Sequence, residues 1–315
     1  MPNLLRAPLR EYRSHIMDSH RWDGFVPRQG DVVVATYPKC GTTWTQRIVD
    51  LLIFQSPAPR TFVAAAPWLD AVFFAPIADD LATLEAQTHR RAMKSHLPFD
   101  ALPLYDGVKY IHVARDGRDA CWSFHNHQLG FRPESFVVYG PDGSTFTPPP
   151  PPPTPQDPRE FFLGWMARAE GDADPGGDLP FCEFETTYWR ERRRDNLLLV
   201  HYNDLKADLT SEMRRISDFL DIDTPAALLP QLAEAARFET MKAQGDAMMP
   251  RLRNSFDTGA QRFINKGTNG RWKDVLTPDD LARYDAQVAR KLSPAAARWI
   301  AQGRLAAGDP RMAAD

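Results

Sequence analysis

The sequence predicts a single α/β domain over residues 1–315, with a central parallel sheet flanked by helices. Three observations predict it. Short apolar runs alternate with segments of helical apolar spacing, the pattern of a parallel sheet covered on both faces. The first run, Val32-Val33-Val34-Ala35, passes through a tight glycine-containing turn straight into a helical segment. The chain of 315 residues, 43% hydrophobic and 25% charged, supplies core enough for one large globular domain.

Taken in order, residues 31–36 read as the first buried strand and 44–55 as its helix. Residues 57–92 mix prolines and aromatics around a polar stretch, 79–91, that is expected to be helical. Residues 91–95 form a second strand, ending at His96-Leu97-Pro98. A third, 109–114, runs into Arg115-Asp116-Gly117-Arg118-Asp119 and a helix to about His127, with Asp116 as its N-cap. A fourth strand covers 197–202, an amphipathic helix 209–220, and further helices 226–237, 278–291 and 294–302. Ligands of such sheets bind beyond the C-terminal strand ends. The ends of the first three strands carry Lys39, His96 and Arg115.

Residues 140–158 break the pattern. The unbroken run Pro148-Pro149-Pro150-Pro151-Pro152-Pro153 reads as exposed polyproline II in a surface loop insertion, with a lid or a partner-docking segment as the other reading. Residues 172–177 read as a second flexible stretch, and Arg190-Glu191-Arg192-Arg193-Arg194 as a solvated basic helix end.

Charge and cysteine usage exclude several classes. A net charge of −3 provides no basic field for nucleic acid, so any anion site is local. Cys40, Cys121 and Cys182 lack the Cys-x-x-Cys spacing of a zinc site and form no disulfide framework. Residues 1–21 lack the apolar core of a signal peptide, and no run of about 18 apolar residues exists to cross a bilayer. The expected location is a reducing cytoplasm, with no metal and no membrane partner.

The strongest chemical signal is Tyr37-Pro38-Lys39-Cys40-Gly41-Thr42-Thr43-Trp44. A strand turning into a helix N-terminus presents free backbone N–H groups and a positive dipole end to an anion. Gly41 permits close approach, Thr42 and Thr43 add hydroxyls, and Lys39 adds charge. The nucleotide-triphosphate loop places its lysine after the last glycine; here the lysine precedes the glycine, so the loop suits a phosphate without being built like an ATPase loop.

Three further segments carry chemistry. Strand 109–114 delivers Arg115 to a helix start, where a guanidinium can clamp a phosphate bidentately. Ser123 lies two helical turns past Asp116, on the same face. Arg262-Phe263-Ile264-Asn265-Lys266-Gly267-Thr268-Asn269-Gly270-Arg271-Trp272-Lys273, with two glycines and several cations, suits a flexible strap over an anion. Lys94-Ser95-His96-Leu97-Pro98 places an imidazole, which titrates near neutrality, at a strand end. His125 and His127, two apart on a helix, do not share a face and make a poor metal pair.

Together these segments, spread over residues 30–275, resemble the sulfotransferases of the cytosolic type that use 3′-phosphoadenosine 5′-phosphosulfate (PAPS). The octapeptide resembles their 5′-phosphosulfate loop, Tyr-Pro-Lys-Ser-Gly-Thr-Thr-Trp, with Cys40 in place of serine. The resemblance implies that Lys39, Cys40, Gly41, Thr42 and Thr43 hold the 5′-phosphosulfate. It implies that Arg115, Ser123, Lys266 and Gly267 hold the 3′-phosphate, and that Trp44, Tyr202 and Phe238 contact the adenine. His96 would be the general base, with Lys39 and Lys94 as charge-stabilising catalytic residues. The acceptor would be a small phenol or alcohol, with Trp68, Phe73, Phe74, Phe99 and Phe131 either lining its pocket or belonging to the core.

The chain departs from the family pattern at three points. Asn265 replaces the arginine of the family's Arg-Lys-Gly-x-x-Gly-x-Trp-Lys segment, which leaves a 3′-phosphate contact weaker or supplied by Arg262 or Arg271. The family's C-terminal dimer motif is degraded to Lys273, Thr277, Pro278 and Ala282, which leaves monomer or dimer open. Cys40 reads as a neutral substitution, although a thiol beside a lysine at a helix N-terminus is also a candidate for a lowered pKa and oxidation. Two other classes remain open from the residues: a P-loop-like nucleotide kinase or NTPase, and a non-catalytic binder of 3′-phosphoadenosine 5′-phosphate (PAP).

Overall fold

Val32, Val33, Val34 and Ala35 are all fully buried because they form an inner strand of a parallel sheet. The computed structural model describes residues 1–132, 136–168 and 179–315. The expected flexible stretch 172–177 lies outside the described residues. In chain order the strands are β1 (Leu4–Arg6), β2 (Val32–Ala35), β3 (Ala92–Ser95), β4 (Leu104–Tyr105), β5 (Lys109–Ala114), β6 (Val138–Tyr139), β7 (Thr145–Phe146) and β8 (Leu197–His201). The main sheet has the order β3-β2-β5-β8 and is parallel throughout, with Ala35 level with both Ser95 and His112. β1 pairs with β4 and β6 with β7, each antiparallel.

Both faces of the sheet are covered, as a near-continuous apolar strand requires. Val32, Val34, Ile111, Val113 and Val200 point to one side, against the helices Thr42–Phe54, Leu209–Phe219 and Leu229–Ala235. Val33, Ala35, Tyr110, Leu197 and Leu199 point to the other, against Gly117–Gly130, Phe181–Arg190 and the C-terminal helices Pro278–Lys291 and Pro294–Gln302. Asp116 caps Gly117–Gly130 through the Arg118 N–H at 2.9 Å. Thr277 and Asp280 form a reciprocal capping box at the start of Pro278–Lys291. Thr277 thus serves as a helix cap.

The expected elements are present with shifted ends, and some are new. The first helix begins at Thr42, two residues before the expected start. The polar stretch 79–91 is helical over Ile77–Glu85, after which Arg91 turns inward to an ion pair with Asp31. Helices Pro158–Arg168 and Phe181–Arg190 were not expected; aromatic residues dominate their buried faces. The basic cluster 190–194 is a solvated end only in part. Arg192 is 5% exposed and donates to the carbonyls of Trp189, Pro310 and Ala313, and Arg193 donates to those of Arg311 and Ala313. These arginines tie down the C-terminal segment, whose backbone carbonyls carry no sequence signal. No helix among the described residues is long and apolar enough to cross a membrane.

Candidate active site

Lys39, His96 and Arg115 all follow C-terminal ends of adjacent parallel strands, β2, β3 and β5. Gly41, the N-cap of Thr42–Phe54, has φ 116, and a Cβ there would stand 3.1 Å from the Tyr202 ring. Lys39 has φ 70, an uncommon backbone for a lysine and one that costs free energy. That turn sets its side chain against His127 of the helix Gly117–Gly130 and against Phe263. Its Nζ lies 3.3 Å from His127 Nδ1 and 4.3 Å from the Phe263 ring centroid. Burial, and then the charge of Arg115, lower its pKa to about 8. Thr43 and Trp44 sit in the open first turn, where backbone N–H groups lack helical partners. The Thr42 hydroxyl shares a hydrogen bond with that of Thr36.

His96 is held on two sides. Its Nδ1 is 2.7 Å from the Thr36 carbonyl, and its backbone N–H donates to Asp70 Oδ2 at 3.0 Å. A carbonyl oxygen can only accept, so the ring proton sits on Nδ1 and Nε2 carries the lone pair. Burial, reinforced by Lys94 and Lys39, holds the His96 pKa well below the usual range, so the imidazole is neutral near pH 7. Lys94 Nζ lies 3.6 Å from the Trp68 ring centroid, and the same indole meets His96 edge-on at 4.8 Å. Burial brings the Lys94 pKa down to about 7; Asp70 opposes this and Lys39 adds to it. Asp70 Oδ2 also accepts from Trp68 Nε1 at 2.7 Å, so one buried carboxylate fixes both the histidine and the indole.

Of the two readings of Cys40, the alternative of a lowered thiol pKa is not supported. The thiol is fully buried, and burial pushes its pKa well above the ordinary value, against the smaller lowering by Arg115. The positive end of the helix is carried by its free N–H groups, while the Cys40 side chain packs in the core.

The nucleotide half of the site assembles from distant segments. Arg115 lies 4.1 Å from the Tyr202 ring centroid and donates to the Lys39 carbonyl at 3.2 Å and to Asn269 Oδ1. Trp44 meets Tyr202 edge-on at 5.3 Å and donates from Nε1 to the Ala236 carbonyl. Phe238 packs in the same small cluster as Trp44 and lies against Gly267. Gly267 has φ 63, and its carbonyl accepts from Tyr202 Oη at 3.3 Å and from Lys206 Nζ at 2.9 Å. The strap is pinned further by Gly270 N–H to Asp119 at 2.7 Å and by Asn269 to Asn203. Trp44, Tyr202, Phe238 and Gly267 therefore lie together, while Lys266 is exposed. Ser123 is half-buried on Gly117–Gly130, one turn before His127.

The apolar half also becomes clear. Trp68, Phe73 and Phe74 form one ring cluster beside His96, continued by Phe136 and Phe131. Phe99 belongs to the core, fully buried between Tyr110 and Tyr188. The insertion starts as the β6–β7 hairpin, whose Val138 packs with Val72 and Phe136 and whose Tyr139 N–H donates to the Val72 carbonyl at 2.7 Å. The segment just past the proline run is fastened to Gly117–Gly130 by His125 Nε2 on the Pro155 carbonyl at 2.8 Å.

Two residues of this site were missed in the sequence. His127 was weighed only against His125, yet it lies four residues after Ser123, on the face that meets Lys39. Asp70 had no signal at all, since its contact with His96 spans 26 residues. No group of three His, Cys, Asp or Glu side chains suited to a metal exists among the described residues.

Comparison with known proteins gives the family and the fold. Residues 29–295 match the sulfotransferase domain family. A glycolipid sulfotransferase of Mycobacterium bovis is 32% identical over 93% of this chain and 94% of its own length. Sulfotransferase 1 family member D1 of Rattus norvegicus is 25% identical over 86% of each chain. The fold is similar to that of a mouse sulfotransferase solved with PAP (TM-score 0.64, 20% identity, 88% of this chain and 90% of that one). It is also similar to retinol dehydratase solved with androsterone and PAP (TM-score 0.66, 21% identity, 88% and 87%). The chain belongs to the sulfotransferase family and is an enzyme of that class.

Proposed function

We propose that the protein moves a sulfuryl group from PAPS to a hydroxyl of an apolar acceptor, with His96 as general base. The observation that carries this reading is the His96 tautomer: Nδ1 is committed to the Thr36 carbonyl, which leaves a neutral Nε2 to take the hydroxyl proton. When bound, PAPS supplies the sulfuryl group for an in-line displacement. Lys39 neutralises charge developing on the oxygen that bridges phosphorus and sulfur, and Lys94 stabilises the transferring oxygens; such preorganised charge is often the largest catalytic term. Both ammonium groups are partly buried, so each acts in a low dielectric. Gly41, Thr43 and the helix start suit the 5′-phosphate, Arg115 and Ser123 the 3′-phosphate, and Trp44, Tyr202 and Phe238 the adenine.

The ring cluster Trp68, Phe73, Phe74, Phe131 and Phe136 supports an acceptor with an apolar or aromatic body, a phenol or an alcohol. The glycolipid named for the mycobacterial relatives is a second acceptor class. Three buried free cysteines support a reducing compartment. Labelled PAPS offered with phenols, alcohols, sterols and glycolipids tests the acceptor. Changing His96 to alanine tests the base: turnover falls on the order of 10²- to 10⁴-fold with PAP affinity retained. Unchanged turnover would sink the assignment. ATP- and Mg²⁺-dependent activity without PAPS use, or PAP binding without turnover of any acceptor, would favour the kinase or sensor reading instead.

A further inference from the structure

Two arginines of this half of the site, Arg115 and Arg271, each bury an Nε without a hydrogen-bond partner among the described residues, and both act electrostatically on Tyr202. Arg115 occupies the ring face and spends its Nη groups on Lys39, Thr268 and Asn269, but its Nε is buried without a hydrogen-bond partner among the described residues. Arg271, just past the strap turn at Gly270 (φ 77), has a buried Nε that is likewise without a partner. Burial and then the charge of Arg115 lower the pKa of Arg271, and both cations act on Tyr202. Asp119 is in electrostatic reach of both, and its Oδ1 accepts from the Gly270 N–H at 2.7 Å. Two like charges and two buried donors without acceptors are costly as they stand, and an added anion satisfies both.

Asn265 cannot supply this charge, and its carbonyl is held by Lys242 Nζ at 2.9 Å. Arg262 faces elsewhere. Its side chain fills the space that a Cβ on Gly130 would take, at the far end of Gly117–Gly130 from Arg115, and its Nε, also buried without a hydrogen-bond partner among the described residues, lies 3.9 Å from Asp257. We propose that Arg271, together with Arg115, binds the 3′-phosphate and so replaces the arginine that Asn265 lacks. The inference rests on the nucleotide reading above, and it assigns a role to a position that the family segment leaves unspecified.

The test is calorimetric titration of the full chain with PAP and with adenosine 5′-phosphate, which lacks the 3′-phosphate. Arg271→Ala is expected to lose about ten- to a hundredfold in PAP affinity, the range for a hydrogen bond to a charged group, and about twofold or less for adenosine 5′-phosphate. Arg262→Ala stays within about twofold of the native chain on both. Adding Asn265→Arg to Arg271→Ala restores most of the lost PAP affinity. Without nucleotide, Arg271→Ala keeps or raises the melting temperature, because it removes a like charge. Equal losses on both nucleotides, unchanged PAP affinity, or a loss in Arg262→Ala instead overturns the proposal. A native chain that binds neither nucleotide overturns the cofactor reading itself and this proposal with it.

Discussion

The ammonium of Lys39 lies 3.3 Å from Nδ1 of His127, 88 residues further along the chain. Burial, and then the charges of Lys39 and Lys94, hold the His127 pKa well below its usual range. Its Nδ1 is therefore a neutral acceptor for the ammonium. The contact joins the phosphate loop to the aromatic side of the site, where the same imidazole meets Phe256 at 4.9 Å and Phe263 at 5.7 Å.

Replacing Lys39 with methionine keeps length and packing and removes the charge. We expect turnover to fall on the order of 10²- to 10³-fold, the cost of losing one preorganised charge-stabilising group. The same change should raise the pKa of His96 and of Lys94, since Lys39 lowers both. Histidine ring resonances followed through a pH titration check this. An unmoved His96 would show that the two groups do not share a site.

Replacing His127 with leucine removes an aromatic partner while leaving His96 in place. The acceptor KM should rise about three- to tenfold, the worth of one or two ring contacts, with a smaller change in kcat. Initial-rate kinetics separate the two. A collapse of kcat with KM unchanged would instead give His127 a part in the chemical step.

Affinity for PAP should fall as pH rises from about 7 to 8.5, because Lys94 and then Lys39 lose protons near 7 and 8. Stability of the nucleotide-free protein should move the other way. Both lysines have folded pKa values below 10.5, so the unfolded chain binds more protons in this window and raising pH favours the fold. Above about pH 9 the buried thiols reverse the trend: Cys40, Cys121 and Cys182 have raised values, and the unfolded chain releases those protons first. Urea midpoints with and without PAP across pH 7 to 9 check both signs.

Replacing Gly267 with alanine places a Cβ 2.6 Å from Phe238 Cδ2 on a backbone with φ 63. Left-handed backbone costs an L-residue roughly 1–2 kcal/mol, and Phe238 must also move. PAP affinity should drop about tenfold or more, with little change in the melting temperature because the strap is a surface segment. Equal affinity in the variant would mean that the strap does not touch the nucleotide.

Much of the fold was legible because its signals are local. The apolar runs at 32–35, 109–114 and 197–201 are read residue by residue, and parallel strands buried on both faces have no other appearance. The helices Pro158–Arg168 and Phe181–Arg190 were not anticipated although their buried residues, Phe161, Phe162, Trp165 and Met166 in one and Phe181, Cys182, Phe184, Glu185, Tyr188 and Trp189 in the other, keep helical spacing. Cys40 stayed open in the sequence because a helix N-terminus predicts the field, whereas the direction of the side chain decides whether a thiol feels water or core.

By itself, then, the sequence determined the sheet, the phosphate turn and the three strand ends that carry Lys39, His96 and Arg115, since each depends on neighbours a few positions away. Tertiary structure alone decided which further side chains reach those ends. Asp70 beneath His96 and His127 against Lys39 are brought in by contacts across tens of residues, and Arg271 is brought within electrostatic reach of Tyr202 and Arg115. It also decided the charge states, because burial and the mutual repulsion of Lys39, Lys94 and Arg115 lower the lysine pKa values toward neutrality. Burial and like-charge proximity exist only once the chain has closed on itself.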